Sequence, residues 1–215
     1  MILRQERPTH GMIHLQGDPI FEPGAQCLSN HALRSRVQAI AQSPFDAFSG
    51  HLTVDYYLTR TAINLRGAKT PDDVTRIVDQ ALNKVGLTLE RIRGKYVHQF
   101  SGGELQRISI ARALIPDPVL IVADEPVSMV DASVRMNIIN LFRDVMAKSG
   151  VSFLYITHDL ATAFYLADDL IIMQSGAIVE QGVPDKILAD PAHDYTRLLL
   201  SSIPRIGAKW EELAP

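Results

Sequence analysis

Val119-Leu120-Ile121-Val122-Ala123-Asp124-Glu125-Pro126 is the stretch that decides the fold class. Five apolar residues in succession, Val119 to Ala123, read as a parallel strand covered on both faces. An acidic pair stands where the strand ends, and in α/β sheets ligands bind outside such carboxyl ends. Asp124 suits a hydrated Mg²⁺ ion, and Glu125 suits the polarising of an attacking water. Taken alone, the same residues are also what a plain acidic turn after a strand looks like.

Working outward from this strand, the downstream pattern alternates. Val134, Ile138, Leu141 and Val145 mark a helix ended by Gly150, and Val151 to Ile156 is a second apolar, β-rich run. Leu160 to Ala167 reads as helix. Leu170 to Met173 and Ala177 to Glu180 flank Gln174-Ser175-Gly176, a hairpin signature. Strand, helix, strand, helix argues for a layered α/β fold. Upstream, residues 51 to 117 are helical in character and form an insertion within that fold. Thr70 is an expected N-cap, Pro71 the first helical residue, and Asp72 and Asp73 suit the positive end of the helix dipole. Val74, Ile77, Val78, Ala81, Leu82 and Val85 share one face, and Gly86 closes it. The first 50 residues read as short strands and turns, with Val37 to Ala41 a strand broken by Ser43-Pro44.

Composition bounds the function classes. Of 215 residues 47% are hydrophobic and 21% charged, ordinary globular values, and the net charge of −3 is spread without a basic stripe. No nucleic-acid partner is expected. One cysteine, Cys27, precludes an intramolecular disulfide, which points to the cytosol. No apolar run approaches the roughly 18 residues of a membrane span, so a membrane role is expected to come through partners.

The most specific stretch is Phe100-Ser101-Gly102-Gly103-Glu104-Leu105-Gln106-Arg107. Ser101 and Glu104 form a Ser-x-x-Glu capping box. Two glycines in the first turn leave backbone N–H groups open to an anion. A third polar group at a strand end is His158, which is able to donate to a phosphate in either charge state. The other six histidines have no metal-ligand spacing.

Together these residues resemble the ATP-binding subunits of ABC transporters, from about residue 4 to the end. Phe100 to Glu104 is similar to the family's signature motif, Leu-Ser-Gly-Gly-Gln, and the run ending in Asp124-Glu125 to its Walker B. Ser128-Met129-Val130-Asp131 resembles the D-loop, His158 the switch histidine and Gln42 the Q-loop glutamine. The resemblance implies a P-loop NTPase-type layered sheet, with residues 51–117 as a helical subdomain facing transmembrane permease subunits. It implies ATP and Mg²⁺ as cofactors, with Glu125, His158 and Gln42 catalytic and Asp124 and Gln42 near the metal. Ser101, Gly102, Gly103 and Glu104 would meet nucleotide held by a second ATPase subunit, in a heterodimer, with Asp131 in the D-loop beside them. A substrate-binding protein would be an indirect partner. The location implied is the cytoplasmic face of the cell membrane.

The tail, residues 184–215, narrows the resemblance. Asp190 through Pro204 is similar to the segment closing oligopeptide and dipeptide importer ATPases. Some relatives of that group, carrying a stretch like Pro126-Val127-Ser128-Met129, import oligosaccharides, so sugar is the second substrate class. Within residues 1–215 there is no Gly-x-x-x-x-Gly-Lys-[Ser/Thr], the loop whose N–H groups and lysine cradle phosphates. Glu6 to Gly11 resembles the turn that follows that loop's helix, with Met1-Ile2-Leu3 as the helix's last turn. The expectation is a single ATP-binding domain lacking its N-terminal P-loop strand and helix, inactive and poorly stable alone. Two other readings stay open: a non-catalytic remnant or regulatory module that pairs with an intact subunit, and a soluble non-transport ABC protein.

Overall fold

The structure, a computed structural model, describes residues 1–202 and divides into two compact units, the second starting at Thr157. The last part of the expected tail, residues 203–215, lies outside the described residues.

In the first unit, strands β1 (Ile13–Leu15) and β2 (Asp18–Phe21) form an antiparallel hairpin. Helix α1 (Asn30–Arg36) then runs into β3 (Val37–Ile40). This helix departs from the expected strands and turns. The Ser29 hydroxyl accepts the Ala32 N–H and so caps it, but in seven residues only Leu33 is buried. A face that short leaves no helical period to read.

Helices α2 (Val54–Arg66), α3 (Pro71–Asn83), α4 (Leu89–Ile92) and α5 (Gly102–Leu114) follow. Thr70 caps α3 as its sequence asks, with its side chain accepting the Asp73 N–H, and Pro71 opens it. Val54, Leu58, Ala62, Leu82, Ile92, Leu105, Ile108, Ile110 and Ala111 are all fully buried. Each large aliphatic side chain so buried contributes about 1.5–3 kcal/mol. These helices pack on one another and, through α5, on the rest of the unit.

Strand β4 (Leu120–Asp124), helix α6 (Ala132–Ser149) and strand β5 (Ser152–Ile156) complete the unit. The sheet has the order β3-β4-β5, parallel throughout, with Val37 opposite Leu120 and Leu120 opposite Ser152. Parallel neighbours end at the same edge, so Ile40, Asp124 and Ile156 come together there. Phe142 of α6 meets Phe153 and Tyr155 of β5 edge-on, at 5.6 and 5.8 Å, covering one sheet face. Helix α5 packs against β3 and α6. Gly150, at φ +64, ends α6 in the left-handed conformation glycine adopts freely.

The second unit holds α7 (Leu160–Leu166), the antiparallel hairpin β6 (Leu170–Gln174) and β7 (Ala177–Gly182), then α8 (Pro184–Ala189) and α9 (Asp194–Ser201). Ser175 and Gly176, both at positive φ, make the two-residue hairpin turn. Leu170, Ile172 and Ile187 form its small core. No described helix is long and apolar enough to cross a membrane.

Candidate functional site

At the carboxyl edge of the parallel sheet, Asp124 is exposed and Glu125 half-buried. Gln42 lies two residues past β3, and its Nε2 donates to Glu125 Oε2 at 3.1 Å across 83 positions of chain. The adjacency of β3 and β4 makes this meeting possible. Glu125 itself turns sharply, at φ +43, a value rare for a residue with a Cβ. Its N–H donates to the Ile156 carbonyl at 2.9 Å, and its own carbonyl accepts the Ser128 N–H at 3.1 Å. The Ser128 hydroxyl donates to that same carbonyl at 2.9 Å. The structure thus gathers Gln42, Asp124 and Glu125 at one sheet edge, where a carboxylate with an amide donor beside it suits the activation of a water.

The glycine turn is built by local means. Ser101 caps α5: its hydroxyl accepts the Glu104 N–H at 3.3 Å, and Glu104 Oε2 accepts the Ser101 N–H at 3.1 Å. Arg91 pairs with Glu104 Oε1 at 2.6 Å. The Ser101 N–H, then the Arg91 guanidinium and the Ser101 hydroxyl, hold the Glu104 carboxyl below the usual range, against a partial opposing effect of burial. A Cβ at Gly103 would come within 2.8 Å of Val134 Cγ1, and one at Gly102 within 3.6 Å of the Met129 carbonyl. The turn therefore lies against the 129–134 segment, in which Asp131 is the N-cap of α6 and its carbonyl accepts the Val134 and Arg135 N–H groups. Gly103 is small because its own chain leaves no room there, a reason its sequence context does not reveal.

Two residues tie these surfaces to their surroundings, one in the D-loop-like stretch and one to which the sequence assigns no role. One is Ser128, already described. The other is Arg112, whose Nη1 donates to the Ala47 carbonyl at 2.7 Å and whose Nε donates to the Thr61 hydroxyl at 3.4 Å. Its guanidinium lies 5.6 Å from the Phe48 ring centre and 5.4 Å from that of Tyr57. Burial lowers its pKa, partly offset by Tyr57, yet an arginine stays charged at any ordinary pH. The signal was present in the sequence as a lone cation inside the apolar run Ile108 to Leu114.

His158 belongs to the second unit, exposed just ahead of α7. Its neighbour Asp159 caps that helix, accepting the Ala161 N–H at 3.0 Å and the Thr162 hydroxyl at 2.7 Å. Farther along, the Glu180 carboxylate accepts the Ala192 and His193 N–H groups at 2.8 and 3.1 Å. The Thr196 hydroxyl and these N–H groups hold its carboxyl below the usual range. His193 Nδ1 accepts the Tyr195 N–H at 3.1 Å and caps α9.

A parallel sheet with an acidic pair at its carboxyl edge and a capped glycine turn define the class, and the chain belongs to the ABC transporter family: residues 1–128, more than half of it, match that family's model. Residues 179–215 match the model of the oligopeptide/dipeptide transporter C-terminal region. A Brucella ovis protein named for peptide import and ATP binding is 39% identical over 94% of this chain and 63% of its own length. The dipeptide transport ATP-binding protein DppF of Escherichia coli K12 is 36% identical over 94% of this chain and 59% of its own. The chain therefore spans roughly three-fifths of the length of these curated relatives. Among solved structures, cbiO1 of Clostridium perfringens, part of the ABC transporter complex cbiONQ, aligns with a TM-score of 0.75 at 24% identity. That alignment covers 96% of this chain and 78% of the other, and it establishes the shared fold.

Proposed function

We propose that the chain is the ATP-hydrolysing, energy-coupling subunit of an importer for oligopeptides or dipeptides. The carrying observation is the 3.1 Å contact of Gln42 with Glu125, which places an amide and a carboxylate together at the sheet edge. Glu125 polarises the attacking water, Gln42 orients it, and His158 donates to phosphate. Ser101, Gly102 and Gly103, with Glu104 fixing the turn, receive the phosphates of a nucleotide held by a second ATPase subunit. Asp131 sits on the loop beside that turn.

Mg²⁺ fits the donor set. Asp124 through water and the Gln42 carbonyl are hard oxygen donors. An ion of this kind keeps several waters and takes phosphate oxygens beside one or two protein ligands. Bound with the nucleotide, Mg²⁺ supplies neutralisation of phosphate charge.

These 215 residues contain no Gly-x-x-x-x-Gly-Lys-[Ser/Thr] loop. By themselves they supply the signature half of a site and turn over no ATP; the phosphate loop must come from other residues. The same observation supports a second reading, a non-catalytic module that completes the site of an intact partner. Residues 51–117 form the helical subdomain that meets the permease subunits, at the cytoplasmic face of the membrane, with a substrate-binding protein as indirect partner. The single-domain reading of 1–215, with a tail at 184–215, belongs to this proposal. Peptide comes first because of the tail's similarity and the relatives' names; oligosaccharide is second.

The test is ATP-dependent peptide uptake and phosphate release by the full gene product, assembled with permease and second ATPase subunits. Glu125→Gln is expected to lower turnover by about 10²–10⁴-fold; wild-type turnover by this variant would overturn the hydrolytic reading. ATP turnover by residues 1–215 alone, lost in Glu125→Gln, would refute their dependence on an external phosphate loop.

A further inference from the structure

Glu125 is held in a backbone conformation that its sequence context opposes. A residue before proline favours extended backbone, with φ near about −120°, and a residue with a Cβ avoids positive φ. Glu125 precedes Pro126 and stands at φ +43. Its N–H is fixed by the Ile156 carbonyl at 2.9 Å. Its carbonyl is fixed twice by one residue, through the Ser128 N–H at 3.1 Å and the Ser128 hydroxyl at 2.9 Å. Pro126, buried and at the second position of the turn 125–128, has no N–H to offer an alternative bond. Val127 and Val130, each 5% exposed, anchor the same loop in the core.

We infer that Ser128 is a positioning residue for Glu125: its hydroxyl holds the Glu125 carbonyl, and so the backbone twist that aims the carboxylate at the Gln42 side of the sheet edge. An extended Glu125 would rotate its Cα–Cβ bond away from Gln42, so the twist sets the direction in which the carboxylate works. The backbone bond from Ser128 closes the turn with any residue at that position. The hydroxyl adds a second donor to one oxygen, and only serine or threonine supplies it there. Ser128 acts through Glu125, and the inference rests on the hydrolytic reading above.

Two measurements test it. In the assembled full-length complex, Ser128→Ala is expected to lower kcat roughly 10- to 100-fold, the scale of a small misplacement of a reacting group. The KM for ATP and the melting midpoint stay in place, and Ser128→Thr restores most of the rate. In the same complex, the Glu125 Cα and Cβ NMR shifts leave their left-handed values in Ser128→Ala and keep them in Ser128→Thr. Overturning results are an unchanged kcat with unchanged shifts, a loss that Thr does not rescue, or an effect confined to KM or melting. If the assembly proves to hydrolyse no ATP, the NMR shifts decide alone. Wild-type turnover by Glu125→Gln would defeat the hydrolytic reading of Glu125 but leave the NMR result for Ser128 standing. An inactive Glu125→Gln beside a fully active Ser128→Ala defeats only the role of Ser128.

Discussion

Glu125 and Ser101 each stand where a regular element meets a loop, but the two are held differently. The Ser101 turn is closed by Glu104, three residues away, with Arg91 bonded to the same carboxylate. The glycine beside it is wedged against Val134. Glu125 keeps a rare φ, and its side chain meets Gln42 from 83 positions away. Both places are half-buried or exposed, but the glycine turn has a backbone position with no room for a Cβ, whereas the sheet edge joins side chains from distant parts of the chain. Substitution at the turn should cost stability first. Substitution at the edge should cost rate first.

The largest expected effect sharpens this contrast. Gln42→Ala should lower phosphate release by the assembled complex by about 10²-fold or more. Its unfolding free energy should stay within about 0.5 kcal/mol of wild type, as for an exposed residue outside the packing. A cooperative loss of stability in that variant would break the comparison. Next comes Gly103→Ala, expected to destabilise by about 1–3 kcal/mol because Val134 is too stiff to give way freely. Denaturant melts read it, and an unchanged midpoint would mean the turn is looser than its contacts require. Ser101→Ala removes a cap and should cost about 1 kcal/mol in the same melts.

The smallest effect is on pH. The Glu104 carboxyl is held below its ordinary range. Its stabilising contribution is therefore present above the unfolded-state value and fades as pH falls through the lower folded value. Acid titration of the melting midpoint should show a shallower loss in Glu104→Gln than in wild type. Identical acid limbs would argue that the ion pair with Arg91 is fully screened.

Local contacts were the ones legible in the sequence. The Ser101–Glu104 box, the Thr70-Pro71 start of α3 and the hairpin at Ser175-Gly176 each involve residues within a few positions, so their chemistry shows in a short window. The strand ending at Asp124 was legible for a different reason: an unbroken apolar run has few other homes. Gln42 came forward only through family resemblance, because its partner is far away in the chain. Arg112 is hidden for the same reason, with partners 51 and 65 positions away; the Ser128 contact is local, but no residue type there marks a turn held at positive φ. A hydroxyl aimed at a carbonyl, or a guanidinium seated between two rings, exists only after the backbone has folded around it. Helix α1 was missed because seven residues with one buried side chain show no period.

Arg112 carries a mechanical consequence. It sits in the last turn of α5, a helix of 13 residues whose other end begins at Gly102. At 1.5 Å per residue that helix is about 20 Å long, and over such a length a helix behaves as a rigid strut. The foot of the strut is clamped to Ala47, Phe48, Tyr57 and Thr61, and its head presents the glycine turn. The guanidinium thus joins the 47–61 segment to one end of a helix whose other end carries Ser101 and Gly103.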